Sequence, residues 1–254
     1  MKIVIKYFSG SGNTEFISRL LAEDLRKDGA AVDCSPITEE TVWGELDLLI
    51  IGGPIYAGNC PEKLIRWVLR SVPVTATAKA FVYTTSAGLL NAFGANALST
   101  KLAKKGYTVI GNECFVLPRN FYFGSYEPTE EAYSKELFTK ARERIAAVEN
   151  LIHSKPQQAI QLEGKGVLGK DLFAELFSVM APFMGKNYRA NDNCTRCMKC
   201  IRNCPQQNIS LKGSKIVFGF KCMMCTKCIH GCPAHAIEYK GTLYRQYRPA
   251  DYVG

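Results

Sequence analysis

No run of apolar residues in this 254-residue chain reaches the eighteen or so that a membrane-spanning helix needs, so no span is expected. The amino terminus, MKIVIKYFSGSGNT, holds no stretch long enough for a signal peptide and passes directly into what reads as a strand and a glycine turn. The expected address is the cytoplasm, where thiols stay reduced and clustered cysteines hold metals more often than disulfides. The glycine turn lacks the lysine of a triphosphate-binding loop, and Glu15 stands where G-x-G-x-x-G would need its third glycine. Lys and Arg are scattered and form no recognised nucleic-acid module, which argues against DNA or RNA as a partner. Composition is otherwise ordinary, 47% hydrophobic and 22% charged, enough for one full-sized domain and a small one.

Cysteine is what the chain has in an unusual arrangement. Eight of its eleven fall in two runs. Cys194, Cys197, Cys200 and Cys204, followed by Pro205, read C-x2-C-x2-C-x3-C-P, and Cys222, Cys225, Cys228 and Cys232 with Pro233 read it again, 28 residues on. The same offset carries Ile209 onto Ile237 and Gly213 onto Gly241, so a whole structural unit is repeated. A zinc site pairs two C-x2-C knuckles across an intervening segment and explains this spacing poorly. Three thiolates two residues apart wrap one [4Fe-4S] cubane, and the fourth reaches a second. The expected ligands are therefore Cys194, Cys197, Cys200 and Cys232 for one cluster, and Cys222, Cys225, Cys228 and Cys204 for the other. The doubled pattern resembles the bacterial two-cluster ferredoxin over residues 187–241. The radical-generating C-x3-C-x2-C pattern is absent, because Gln207 and His235 occupy its last position. Cys34, Cys60 and Cys114 lie elsewhere and read as small core side chains, Cys60 being the one near a binding loop.

The first 150 residues alternate buried strands (2–8, 31–34, 46–52, 80–85 and 107–117) with amphipathic helices. One helical face carries Ile17, Leu20, Leu21 and Leu25, and another Leu64, Ile65, Val68 and Leu69. Such alternation predicts a parallel sheet covered on both faces, with ligands at the carboxyl ends of its strands. The first loop there, Phe8 to Thr14, surrounds Gly10 and Gly12 with Ser9, Ser11, Asn13 and Thr14. Hydroxyls, bare amides and a helix amino terminus hold a phosphate without any cation, and a monophosphate is the natural guest.

At this loop the chain resembles the flavodoxins, whose T/S-x-T/S-G-x-T loop binds the phosphate of FMN. The resemblance covers residues 1 to about 150 and implies a flavodoxin-like, doubly wound α/β fold with a five-stranded parallel sheet. It also implies that GGPIYAGNC (Pro54, Ile55, Tyr56, Ala57, Gly58 and Asn59) and TTSAGLLN (Ser86, Ala87 and Gly88, through Asn91) cradle the flavin ring. Tyr56 would stack on it, and Gly58 and Asn59 would lie near its reactive edge. Asn120 and Phe121, in PRNFYFG, are expected to close over it.

A long helix over 129–152, with Tyr133, Leu137, Ala141, Ile145, Val148 and Ile152 on one face, should complete this layer. Residues 155–170 read as a linker. Asp171 to Gly185 reads as an apolar helix in which Phe173, Phe177, Met180, Phe183 and Met184 all need cover, either wedged between domains or docked on a partner. The expected division is 1–154, a flavodoxin-like FMN domain; 155–186, linker and helix; 187–241, a small α+β 2[4Fe-4S] ferredoxin domain; and 242–254, a basic tail that packs on the ferredoxin domain or meets an acidic redox partner. The formal charge of +9 falls to about +3 once two oxidised clusters at about −2 each and a phosphate near −2 are counted.

Taken together the two halves resemble the flavodoxin-ferredoxin fusions of anaerobic bacteria, known as EFR1-type ferredoxins. That resemblance implies electron transfer among FMN, two [4Fe-4S] clusters and a redox partner protein. The competing expectation is an FMN-dependent reductase of a small organic acceptor or quinone, although no His, Asp or Glu acid-base pair is evident at the flavin loops. A redox sensor is a third reading, for which no signalling module is present.

Overall fold

The computed structural model describes residues 1–254 except 39, 40, 89–91, 124, 125, 155, 157, 161–167 and 254, and leaves undescribed the side chains of 92, 93 and 168–173. Five strands, β1 (Lys2–Tyr7), β2 (Ala31–Pro36), β3 (Leu48–Pro54), β4 (Lys79–Ser86) and β5 (Thr108–Val116), form one parallel sheet in the order β2-β1-β3-β4-β5. This is the flavodoxin-like order, whose switch point lies between β1 and β3. β3 is buried along its whole length, as a central parallel strand must be, and its residues divide between two cores. Leu48 and Ile50 join the cluster under α1 (Asn13–Lys27) and α4 (Glu131–His153), whereas Leu49 and Ile51 face α2 (Glu62–Ser71) and α3 (Ala92–Ala103).

The amphipathic faces read from the sequence are the buried ones, with exceptions at their margins. Ile17, Leu21 and Leu25 are sealed and Leu20 is half-buried, while Leu64 and Val68 are buried but Leu69 is half-exposed. Tyr133, expected on the inner face of α4, is instead exposed in the first turn, and Phe138 takes a core place. A helix end frays away from the sheet, so its last apolar residue need not reach the core.

The carboxyl-terminal part is a second unit whose halves repeat in backbone as well as sequence. Left-handed φ values recur 28 residues apart at Arg196 and Met224, Met198 and Thr226, and Gln207 and His235. The short helices α6 (Lys199–Arg202) and α7 (Lys227–His230) recur with the same offset. β6 (Tyr188–Ala190) pairs antiparallel with β9 (Ile237–Tyr239), and β7 (Ile209–Lys212) with β8 (Lys215–Phe218). The chain thus joins a flavodoxin-like parallel sheet to a small ferredoxin-like α+β unit.

Three segments tie the units together. α5 (Leu168–Gly185) begins inside the stretch expected to be linker, because its glycine lies in the first turn, where it does not stop a helix. Ala181 is buried against the second unit and Phe177 and Met184 are half-buried, so part of the helix is wedged. Its other face is not: Leu176, Val179, Met180 and Phe183 are exposed, contrary to the expectation that Met180 and Phe183 are covered. Phe173 lies outside the described side chains. Phe123 inserts from the first unit into the second, its ring 4.9 Å from Tyr244 and 5.3 Å from Tyr239. The tail crosses both units. Tyr244, Tyr247, Tyr252 and Val253 pack on the α1/α4 core, and Gln246 Nε2 donates to the carbonyls of Ile229 and Cys232. No helix among the described residues is long and apolar enough to cross a membrane.

Candidate functional site

The loops at the carboxyl ends of β1, β3, β4 and β5 enclose a cavity of about 370 Å³. Of the residues expected at a flavin, Ser9, Gly10, Ser11, Asn13, Thr14, Pro54, Ile55, Tyr56, Ala57, Ser86, Ala87, Asn120 and Phe121 line it. Gly12, Gly58, Asn59 and Gly88 do not, and Leu89 to Asn91 lie outside the described residues. Sequence reasoning missed Arg119, visible in PRNF beside Asn120, and Thr85. It also missed Phe177 and Met184 of α5 and Met224 and Thr226 of the second unit, which no local pattern could assign to this wall.

The phosphate-type loop is built by the start of α1. Gly12 caps the helix at φ 111, a conformation open to glycine, and no side chain caps the first turn, so its amides face the loop uncovered. Two side chains expected as ligands are engaged elsewhere. The Thr14 hydroxyl shares a 2.8 Å hydrogen bond with Thr85, and Asn13 Nδ2 donates to the Pro118 carbonyl while its Oδ1 accepts from Tyr247. Asn13 and Thr14 therefore offer the cavity backbone amides. Ser9 and Ser11 keep their hydroxyls at its edge, Ser9 Oγ also accepting from Gly12 N–H.

Tyr56 sits at the start of a tight turn closed by paired backbone bonds to Asn59, with Ala57 and Gly58 both at left-handed φ. Its hydroxyl lies over Gly10, where the Cys225 carbonyl also approaches, and a Cβ on Gly10 would collide with both. Burial, then the neighbouring Cys225 and Cys222, hold the Tyr56 phenol well above its usual range. Burial likewise pushes His230 down to about 4. The neutral ring accepts from Tyr247 N–H at Nδ1 and donates at Nε2 to the Asn120 carbonyl in the cavity wall.

The eight clustered cysteines line two further small cavities, four to each. Cys194, Cys197, Cys200 and Cys232 surround one; Cys204, Cys222, Cys225 and Cys228 surround the other. Backbone N–H groups point at the sulfurs in repeat-related pairs, Asn208 to Cys204 at 3.3 Å and Ala236 to Cys232 at 3.4 Å. Burial pushes Cys225 up to about 12 and holds Cys228 well above the usual thiol range, so without a cationic core these thiols stay protonated. Among the described residues no group of His, Cys, Asp or Glu is placed to hold a single metal ion. Sulfurs set around a space, with N–H donors behind them, suit a polynuclear iron-sulfur core better than one zinc. Cys34, Cys60 and Cys114 belong to neither group. The Cys60 thiol is buried, its pKa raised by burial, and faces the Gly94 carbonyl.

Known proteins match each unit separately. A flavodoxin domain model matches residues 4–105 and a 4Fe-4S dicluster domain model residues 186–233. Solved structures similar to the chain include oxidised flavodoxin 1 from Bacillus cereus (20% identity, 59% of this chain and 98% of that one, TM-score 0.42). Flavodoxin 2 from the same organism is 18% identical over 61% and 100% of the two chains (TM-score 0.45). A flavodoxin from the domain Archaea is 16% identical over 60% and 100% (TM-score 0.41). No curated protein matches the chain. A flavodoxin domain implies FMN, and a dicluster domain implies iron-sulfur clusters, which together support electron transfer. The chain is a fusion of an amino-terminal flavodoxin domain with a carboxyl-terminal 4Fe-4S dicluster domain.

Proposed function

We propose that the chain is a self-contained electron-transfer protein, in which FMN occupies the loop-lined cavity and two [4Fe-4S] clusters occupy the cysteine-lined spaces. Single electrons pass among them and onward to a redox partner. The observation that carries this reading is a shared wall. Met224 and Thr226, which flank Cys225, line the same cavity as Ser9, Asn13, Tyr56 and Phe121. FMN when bound exchanges one or two electrons, and each cubane exchanges one.

The residues of this chain supply placement. Amides at the start of α1, with Ser9 and Ser11, hold a phosphate by hydrogen bonds and helix dipole. Tyr56 and Phe121 offer aromatic faces to a flat ring. Cys194, Cys197, Cys200 and Cys232 ligate one cluster, and Cys204, Cys222, Cys225 and Cys228 the other. The proposed division is 1–154, 155–186, 187–241 and 242–254, with the last segment acting as a strap across the first and third.

The alternative, reduction of a small organic acceptor at the flavin, needs a group to move protons. The ionisable side chains among the described lining residues are Tyr56, Arg119 and Tyr126, with no Asp, Glu, His or Lys, and this favours electron transfer. Anaerobic purification followed by iron, sulfide and flavin quantitation tests the framework, with about eight iron and one FMN per chain expected. In stopped-flow reduction, cluster and flavin bands should change together. Bands that respond independently would sink the relay.

A further inference from the structure

The two repeats of the dicluster domain face different neighbours. In the second repeat, Met224 and Thr226 line the flavin-type cavity, Lys227 Nζ reaches the Ser9 carbonyl, and His230 is buried against the Asn120 carbonyl. This copy docks on the flavodoxin domain of its own chain. The equivalent positions 28 residues earlier are Arg196, Met198, Lys199 and Arg202, and the backbone there is the same. That face is turned outward: Arg196, Cys197, Lys199 and Arg202 are all exposed.

Charge distinguishes the outer face from the inner one. Arg196 lines the first cysteine cavity, and Arg202 lies within electrostatic reach of Cys197. Several cations elsewhere are engaged, Lys186 by the Phe218 carbonyl, Lys6 by Asp33 and Arg189 by Glu238. Among the described residues no hydrogen bond or ion pair holds the side chain of Arg196, Lys199 or Arg202. Asp192, also exposed, is the one carboxylate in the same stretch of chain.

We propose that the outer face around Cys197 is the docking site of a separate one-electron carrier protein with an acidic surface, and that electrons enter or leave the chain there. The inference rests on the cluster assignment above. One electron passes between the carrier's redox centre and the cluster held by Cys194, Cys197, Cys200 and Cys232; no atom or proton crosses. The cluster of Cys204, Cys222, Cys225 and Cys228 is then the inner one, beside the flavin cavity.

The test uses reduced holoprotein and two small one-electron oxidants of opposite charge, the cobalt(III)-EDTA anion and the hexaamminecobalt(III) cation. In K199E/R202E, reoxidation by the anion should slow at least about threefold at low salt while reoxidation by the cation quickens, and both effects should shrink in high salt. R70E/K104E, with the same change in net charge on the flavodoxin domain, should match wild type. K199Q/R202Q should give an intermediate ratio, and serves if charge reversal impairs cluster assembly. Poly-L-glutamate should compete with the anion in wild type but not in K199E/R202E. Rates that respond equally in the two charge-reversal pairs, with iron and sulfide intact, overturn the docking face and leave the clusters standing. Absence of iron and sulfide from wild type overturns the cluster assignment and the docking face with it.

Discussion

The hydroxyl of Tyr247 lies 2.5 Å from Oδ1 of Asn13, joining two residues 234 positions apart in the chain. Asn13 opens the helix at the phosphate-type loop, and Tyr247 belongs to the tail that straps the two domains together. Both residues are buried, so neither partner has water as a substitute.

Replacing Tyr247 with Phe should leave the Asn13 oxygen unpaired, at a cost of about 1–3 kcal/mol. The expected result is a melting temperature lower by about 2–8 °C and weaker FMN binding, read by flavin fluorescence titration. An unchanged FMN affinity would separate the strap from the binding loop.

Gly10→Ala places a methyl group against the Cys225 backbone carbonyl and the Tyr56 hydroxyl. Backbone yields less readily than a side-chain tip, so the domains should move apart while each keeps its own fold. Exchange between flavin and clusters should slow at least about tenfold, since a small misplacement is costly to a reaction that depends on position. Iron and flavin contents measured on the same sample would show whether binding itself had failed.

Grouping of the cysteines across the repeats has a consequence for iron content. Cys194→Ser and Cys232→Ser should each remove the same cluster, and combining them should cost no further iron. Cys194→Ser with Cys204→Ser should remove both clusters, leaving little iron and no cluster absorbance. If C194S/C232S were the variant that lost everything, ligation would follow the linear runs instead.

Glu149, on α4, is pushed up to about 7, first by burial and then by the charges of Asp24 and Asp28. Its ordinary value is about 4.3, so the folded state binds the proton more tightly than the unfolded one. The stabilisation is therefore full below about pH 4.3 and is lost as pH rises through about 7. E149Q imitates the protonated form. It should melt about 2 °C higher than wild type at pH 8, with the advantage vanishing near pH 5.

The sequence by itself determined most features that depend on neighbours along the chain. Apolar runs gave the strands and 3.6-residue patterns most buried helix faces, such as Ile17, Leu21 and Leu25, because local spacing decides which side chains share a face. The spacing of Cys194 to Cys204, and its repetition, carried a ligand grouping that matches the two cysteine-lined cavities. Ser9 to Thr14 marked the phosphate-type loop for the same reason, a helix start being a local event.

What joins the domains was decided by the tertiary structure alone. Nothing near Gly10 announces that Cys225 will sit on it, and nothing near Thr14 that Thr85 will take its hydroxyl. Phe123 follows closely on the pair expected to close over the ring, Asn120 and Phe121, yet its burial among Tyr188, Tyr239 and Tyr244 makes it an anchor of the second domain. Tyr247 and His230 similarly acquire their partners across long stretches of chain. Contacts of this kind follow from shape complementarity between finished surfaces, and the order of residues within each surface does not encode the address of the other.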